Sequence, residues 1–293
     1  NKQYVFYENQ GMVATYDKLK VVEKKLKDYQ GSRLAFSEIT VDYLKDYRNY
    51  LLRDLGNSIN TVHANFAKIR LIINNAIKEG VINGDKNPFR NFKLKWENTK
   101  KEFLTEDELY RIENLELNDK HVINHHRNMY VFAAYVGGLR ISDLLLLQWK
   151  NVDSGIITLR IEKTQAQLSI KVPQKAMEIL EFYRTNYKQS DNDFIFPILK
   201  NIDLSSKVSK VKAISSATAY ANKNLRLIAK KAEINKRITF HTSRHTFATR
   251  ALKKGIPITH VSKLMGHAQL RETMGYAKIV NEDLDKAMEV FDE

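Results

Sequence analysis

A chain of 293 residues, 43% hydrophobic and 10% aromatic, exceeds the usual size of one core and predicts two domains; no apolar run approaches the roughly 20 residues needed to span a bilayer. Lysine and arginine total 48 against 34 acidic residues, and a net charge of +14 favours a polyanionic partner, because neutralised phosphates release condensed counterions. The absence of cysteine excludes disulfides, thiol nucleophiles and cysteine-ligated zinc, and the simplest placement is cytoplasmic.

The start, NKQYVFYENQ, is neither a signal peptide nor an initiator Met, which reads as a fragment or processed chain. The surplus charge is spread: residues 1–98 hold 17 basic and 11 acidic groups. Spread charge suits two domains that surround DNA, although a merely basic soluble protein shares it.

In chain order, Val13, Tyr16, Leu19, Val22, Leu26 and Tyr29 recur at three- and four-residue intervals and predict an amphipathic helix. A second helix is predicted after Thr40, on Val41, Leu44, Tyr47 and Leu51. A third follows Asn57-Ser58, with Ile59, Val62, Phe66, Ile69, Ile73 and Ile77 facing inward, until Gly80 stops it. Turn-rich NGDKNPF closes a helical bundle over residues 1–95. A basic connector, 96–103, leads to the capping box Thr105-Glu106-Asp107-Glu108 and a second domain, 104–293. That domain reads as mainly helical, with one β-hairpin in GIITLRIEKTQAQLSIKVP, where Ile157, Leu159, Ile161 and then Leu168, Ile170, Val172 alternate. Helical periodicity resumes at Ala176–Tyr187 and Ala217–Ala232. The expected fold is mainly α with a small sheet, an α+β chain in two domains.

Several residues could carry chemistry. In YVGGLRISDLLLLQW, Arg140 follows Gly137-Gly138 and enters an apolar run, an expensive place for a guanidinium unless an anion or carboxylate meets it. Asp143 can brace it, and a purely structural Arg140–Asp143 pair is the plain alternative. Lys163 falls on the alternating face of Leu159 and Ile161 near the hairpin tip, with Lys171 as its rival. In TFHTSRHTFATR, His241 and His245 are spaced i, i+4 as for zinc, but Arg244 on nearly the same face is poor company for a cation. The metal-hydrolase reading also lacks a third ligand and a catalytic carboxylate. LMGHAQLRETMGYAKI adds His267 and Tyr276.

The ordered set Arg140, Lys163, His241-x-x-Arg244, Gly266-His267 and Tyr276, in the phrases GLRISDLL, EKT, FHTSRHTFAT, LMGH and TMGYAKI, closely resembles the tyrosine recombinase (phage integrase) family. The resemblance covers the whole chain, and residues 1–95 resemble that family's core-binding domain. Two departures stand out: GGLR replaces the more usual Thr-Gly-Leu-Arg, harmless if Gly137 only makes a turn, and Gln165 replaces a Gly common after Lys-Thr. The family often has a further amino-terminal arm-binding domain, not visible here, and the missing Met is consistent with its removal.

The resemblance implies attack of Tyr276 on a DNA phosphodiester, giving a 3′-phosphotyrosyl enzyme and a free 5′-hydroxyl without metal, ATP or other cofactor. It implies His241 as base, Arg140, Arg244 and His267 on the phosphate, and Lys163 as general acid, with Asp143 and His245 behind them. Such roles suit the chemistry, since a phenol of pKa about 10 must lose its proton and phosphorane charge needs forked donors. The expected partners are double-stranded attachment or core sites, contacted through Lys93, Lys95, Lys100 and Lys101 in and beside the connector, and accessory DNA-bending proteins. A tail helix with Leu284, Ala287, Met288 and Phe291 on one side is expected to join a homotetramer, or to dock on its own domain. The family reading leans to a mobile-element integrase; a type IB topoisomerase-like enzyme and a non-catalytic DNA-binding regulator are the alternatives.

Overall fold

The structure, a computed structural model, describes residues 12–99, 101–118 and 121–280. The chain divides into two compact units, Asn1–Lys100 and Lys101–Glu293. It is mainly helical, with a single small sheet among the described residues. No helix of the described residues is long and apolar enough to cross a membrane.

The first unit is built on helices α1 (Val13–Gln30), α2 (Val41–Asn49) and α3 (Ile59–Lys78). Thr40 and Ser58 start α2 and α3 by accepting backbone N–H bonds from Tyr43 and Thr61, satisfying donors that a helix start leaves free. Helix α2 runs on through a π-helical turn, Tyr50–Asp54, which carries Leu51 into the core. Val22, Leu44, Tyr47, Leu51, Val62, Phe66, Ile69 and Ile73 form that core, with Phe89 and Phe92 closing it. The side chain of Asn60 bonds both backbone groups of Glu97, at 2.8 and 2.9 Å, so the connector begins pinned to α3.

The second unit opens with Leu104, whose N–H donates to Thr246 Oγ1 at 2.9 Å. The capping box at Thr105 then starts α4 (Glu106–Glu113). Helix α5 (Val122–Tyr135) is buried along nearly its whole length, so polar His126 needs Asn224, at 2.9 Å from its Nδ1. A short α6 (Ile141–Leu145) precedes a three-stranded antiparallel sheet: β1 (Val152–Asp153), β2 (Ile156–Arg160) and β3 (Gln167–Lys171). In the register, Leu159 faces Leu168 and Ile157 faces Ile170, putting the apolar alternation on one buried face. Strand β1 is two residues long and has no alternation of its own to betray it.

Helices α7 (Gln174–Tyr187), α8 (Lys207–Lys231), α9 (Phe240–Lys253), α10 (Ile258–Leu264) and α11 (Arg271–Val280) complete the unit. Helix α8 starts ten residues before the predicted Ala217. Its first turns, KVSKVKAISS, are polar and mostly half-buried or exposed, and a capping box at Ser206 rather than an apolar stripe begins them. Helix α9 packs on α5 and α11, so the conspicuous motif of the sequence lies at the centre of the unit. The tail residues Leu284, Ala287, Met288 and Phe291 lie outside the described residues.

Candidate active site

Arg244 organises the site. Its side chain is 4% exposed; Nη1 donates to the Gly138 carbonyl and Nη2 to the Met265 carbonyl, each at 2.6 Å. One guanidinium therefore ties the turn before Arg140 to the turn before His267. A guanidinium has five N–H donors, so three remain for another partner. Burial first, and then the charge of Arg140, lower its pKa to about 10.

Arg140 precedes α6, and its Nη1 is buried without a hydrogen-bond partner. Two guanidiniums whose charges oppose one another, both with unspent donors, form a receptor for an anion. Asp143 opposes the charge of both arginines, but its hydrogen bond goes elsewhere. Its Oδ1 accepts from the Glu162 N–H at 2.9 Å, its Oδ2 has no partner, and burial raises its pKa. Asp143 thus anchors the hairpin turn that carries Lys163 while its charge faces Arg140.

Two glycines set the approach of these turns. Gly137 has φ +61°, and a Cβ there would stand 2.5 Å from Ile170 Cδ1 and 2.6 Å from the Leu264 carbonyl oxygen. Its role exceeds turn-making, so the departure from Thr is not neutral in this chain. Gly137→Thr should lower stability by at least ~2 kcal/mol, from left-handed backbone and the backbone clash, read as a lower thermal midpoint. Gly266, at φ +60°, has no room for a Cβ beside Ile161.

Tyr276 sits on α11 and is 3% exposed. Its hydroxyl is 2.8 Å from Nδ1 of His245, and Lys101 Nζ lies 4.1 Å above its ring. Burial raises the phenol's pKa, against the opposing charge of Arg244. His245 is buried and lowered to about 3, by burial and then by His241. With the phenol's pKa raised and the imidazole's lowered, a proton passing from Tyr276 to His245 runs uphill, so His245 is a poor base in this arrangement. His241, which the sequence reading made the base, is solvent-exposed and stacks edge to face on His245 at 4.5 Å between ring centroids. Its pKa is lowered by desolvation and by Arg244, Arg140, Lys101 and Lys163. Spacing of i, i+4 put both histidines on one face but could not tell which of them meets the tyrosine.

His267 shares a 2.7 Å hydrogen bond between Nδ1 and Thr273 Oγ1, which leaves Nε2 as its remaining polar atom. Lys163 departs from its expected position. Alternation ends at buried Ile161, and Lys163 is exposed in the turn between β2 and β3. Its charge still reaches His241. Gln165 occupies φ +59°, the conformation that favours glycine, and is held there by its Nε2 bond to the Glu162 carbonyl at 2.8 Å. Lys171 faces outward with Gln167 and Ser169. Among the expected DNA contacts, Lys93 and Lys95 are exposed and line a 250 Å³ cleft of the first unit with Arg48 and His63. Lys100 lies outside the described residues. Lys101 is at Tyr276, a placement that its position in a polar connector did not signal.

Among the described residues, no three His, Asp or Glu side chains are grouped to hold a metal ion. The buried and half-buried histidines carry a pH signature. His126, His245 and His267 are lowered to about 4, 3 and 4, each by burial first and then by His125, His241 and Arg244 respectively. Their folded values lie below the unfolded value near 6.5, so this stability is complete above pH 6.5 and drains away as pH falls through 4. Each contributes about 2 kcal/mol of loss at pH 5, and the melting midpoint should fall by more than about 10 °C between pH 7 and pH 5.

The phage integrase family model matches residues 102–282, and the phage integrase SAM-like domain model matches residues 3–94. The chain belongs to the phage integrase family and is a tyrosine recombinase, an enzyme that cleaves and rejoins DNA. It is 28% identical over 272 residues to tyrosine recombinase XerC of Pelotomaculum thermopropionicum, covering 88% of this chain and 85% of that one. To tyrosine recombinase XerA of Pyrococcus furiosus it is 29% identical over 188 residues, 64% of this chain and 60% of that one, so less than two thirds of that relative is spanned. The Tn1549 transposon integrase, solved in complex with transposon right end DNA, has a similar fold: TM-score 0.69, 19% identity, covering 93% of this chain and 94% of that one.

Proposed function

We propose that the second unit cleaves DNA by attack of the Tyr276 hydroxyl on a phosphodiester, forming a 3′-phosphotyrosyl link and releasing a 5′-hydroxyl. The observation that carries this is the convergence of Arg140 and Arg244, both felt at Tyr276, with a buried Arg140 nitrogen that nothing in the chain satisfies. A phosphate placed on their free donors would gather its developing charge in a preorganised, half-desolvated site. His267 Nε2 adds a donor to a non-bridging oxygen. His241, exposed and neutral because its pKa is lowered, is the base for the incoming phenol. Lys163, on the turn that Asp143 anchors, protonates the departing 5′-oxygen. The ester stores the bond energy, so rejoining requires neither ATP nor metal.

Each unit carries basic groups for the duplex. Lys93, Lys95, Arg48 and His63 border one cleft of the first unit, and Trp96, 60% exposed, lies edge-on to His63. Phosphate contacts of this kind fix register and leave sequence reading to a few side chains. The substrate assigned here is the attachment site of a mobile element, with the chain acting as a multimer, consistent with the transposon integrase sharing its fold. Incubating the protein in EDTA with a nicked duplex bearing the element–chromosome junction should trap a covalent adduct that maps to Tyr276. A verified junction that yields no adduct would sink this reading.

A further inference from the structure

We propose that Thr273 is a positioning residue for the reaction: its hydroxyl donates to Nδ1 of His267 and so fixes the imidazole in the tautomer whose Nε2 carries the proton. The inference rests on the reading of His267 as a donor to the phosphate. Thr273 is fully buried on α11, and its Oγ1 lies 2.7 Å from His267 Nδ1. A buried hydroxyl proton needs an acceptor. Elsewhere in the unit that acceptor is a carbonyl one turn back: Thr218 donates to Ile214 at 2.7 Å and Thr246 to Thr242 at 2.8 Å. Thr273 stands in the first turn of its helix, which begins at Arg271, so the chain one turn back lies outside the spiral. Among the described residues, the ring nitrogen is the one acceptor that its hydroxyl meets. Nδ1 must then present its lone pair, and the proton of a neutral ring sits on Nε2.

The tautomer matters because the ring has a single proton to offer. Burial, and then the charge of Arg244, hold the pKa of His267 at about 4, so the imidazole is neutral at neutral pH. With its proton on Nδ1, the ring would turn a lone pair at Nε2 toward an anion, a repulsion in place of a hydrogen bond. The backbone of His267 is already fixed: its N–H donates to the Ser262 carbonyl at 3.0 Å, and Gly266 before it packs against Ile161. The ring is the part left to orient, and Thr273 orients it. Arg140 and Arg244, the two halves of the phosphate receptor, are both felt at this ring. Thr273 and Tyr276 stand three residues apart on α11, so the helix that presents the nucleophile also sets the donor.

The test uses the full chain with ¹⁵N-labelled histidine, and the variants Thr273→Val, Thr273→Ser and His267→Ala, with Thr273→Val also made in the His267→Ala background. Nitrogen spectra at neutral pH should show His267, identified as the signal that His267→Ala removes, with Nε2 protonated and Nδ1 unprotonated. Thr273→Val should mix the two tautomers, and Thr273→Ser should restore the single one. On the nicked junction duplex, Thr273→Val should slow single-turnover adduct formation about five-fold, the fold-change of one lost hydrogen bond, with DNA affinity unchanged. Thr273→Ser should recover that rate. In the His267→Ala background Thr273→Val should slow the reaction no further, whereas a general loosening of α11 would slow it equally there. A proton on Nδ1 in the unaltered chain, or an equal loss from Thr273→Val with and without His267, overturns the proposal. Cleavage left intact by His267→Ala instead overturns the phosphate role of His267, while the spectrum still decides which nitrogen holds the proton. Should Thr273→Val not fold, the spectrum of the unaltered chain alone carries the decision.

Discussion

Tyr276→Phe should abolish covalent capture of DNA, lowering cleavage by ~10⁴-fold or more, while DNA affinity stays close to that of the unaltered chain. Phenylalanine keeps the ring and with it the packing against Phe247, Val261 and Met265, and the face under Lys101. Only the oxygen is lost, and the chain has no cysteine to take its place. The structural cost is one hydrogen bond to a buried imidazole, about 1 kcal/mol, so the melting midpoint should drop by only a few degrees. Denaturing gels of the adduct and mobility shifts of the intact complex, run on the same samples, separate the two effects. Retained biological activity in this variant would leave a DNA-binding regulator as the surviving account. Relaxation of supercoils by the unaltered chain without exchange between duplexes would favour the topoisomerase-like alternative.

How much of this was legible in the sequence depended on the range of each interaction. The stripes of α2 and α3 could be read because Leu44, Tyr47, Val62, Phe66, Ile69 and Ile73 repeat at helical spacing and are all buried. The hairpin could be read because Ile157, Leu159, Leu168 and Ile170 alternate and bury one face. The start of α8 could not, since KVSKVKAISS offers a cap and little periodicity. Nor could β1, which borrows its strand identity from pairing with β2. The site followed the same rule. Motif order named Arg140, Arg244, His267 and Tyr276, but the partners of each were fixed by tertiary contacts between remote segments. Arg244 reaches Gly138 and Met265, Tyr276 reaches His245, and Lys101 arrives at Tyr276 from the far end of the second unit. Gly137 is a further case, because only the approach of β3 and the end of α10 shows why a side chain does not fit.

The two arginines should part company when each is removed, although both are assigned to the same phosphate. Arg244→Ala leaves the Gly138 and Met265 carbonyls without their donor and opens space at the centre of the second unit. Losing two bonds to a charged donor in a buried setting should destabilise by about 3–5 kcal/mol, or roughly 6–20 °C of melting midpoint in a unit of this size. Arg140→Ala removes a group whose buried Nη1 has no partner and relieves the charge that depresses Arg244. Its melting midpoint should stay unchanged or rise slightly. Cleavage should fall in both, by on the order of 10²–10³-fold or more, because each withdraws donors from the phosphorane. Arg244→Lys sharpens the contrast: it keeps a charge but cannot fork to two carbonyls, so it should recover neither stability nor rate. Paired thermal melts and single-turnover cleavage of the three variants read both axes. Equal destabilisation by Arg140→Ala and Arg244→Ala would show that Arg140 also holds the fold together. In that case its unsatisfied nitrogen would no longer mark the place that the phosphate fills.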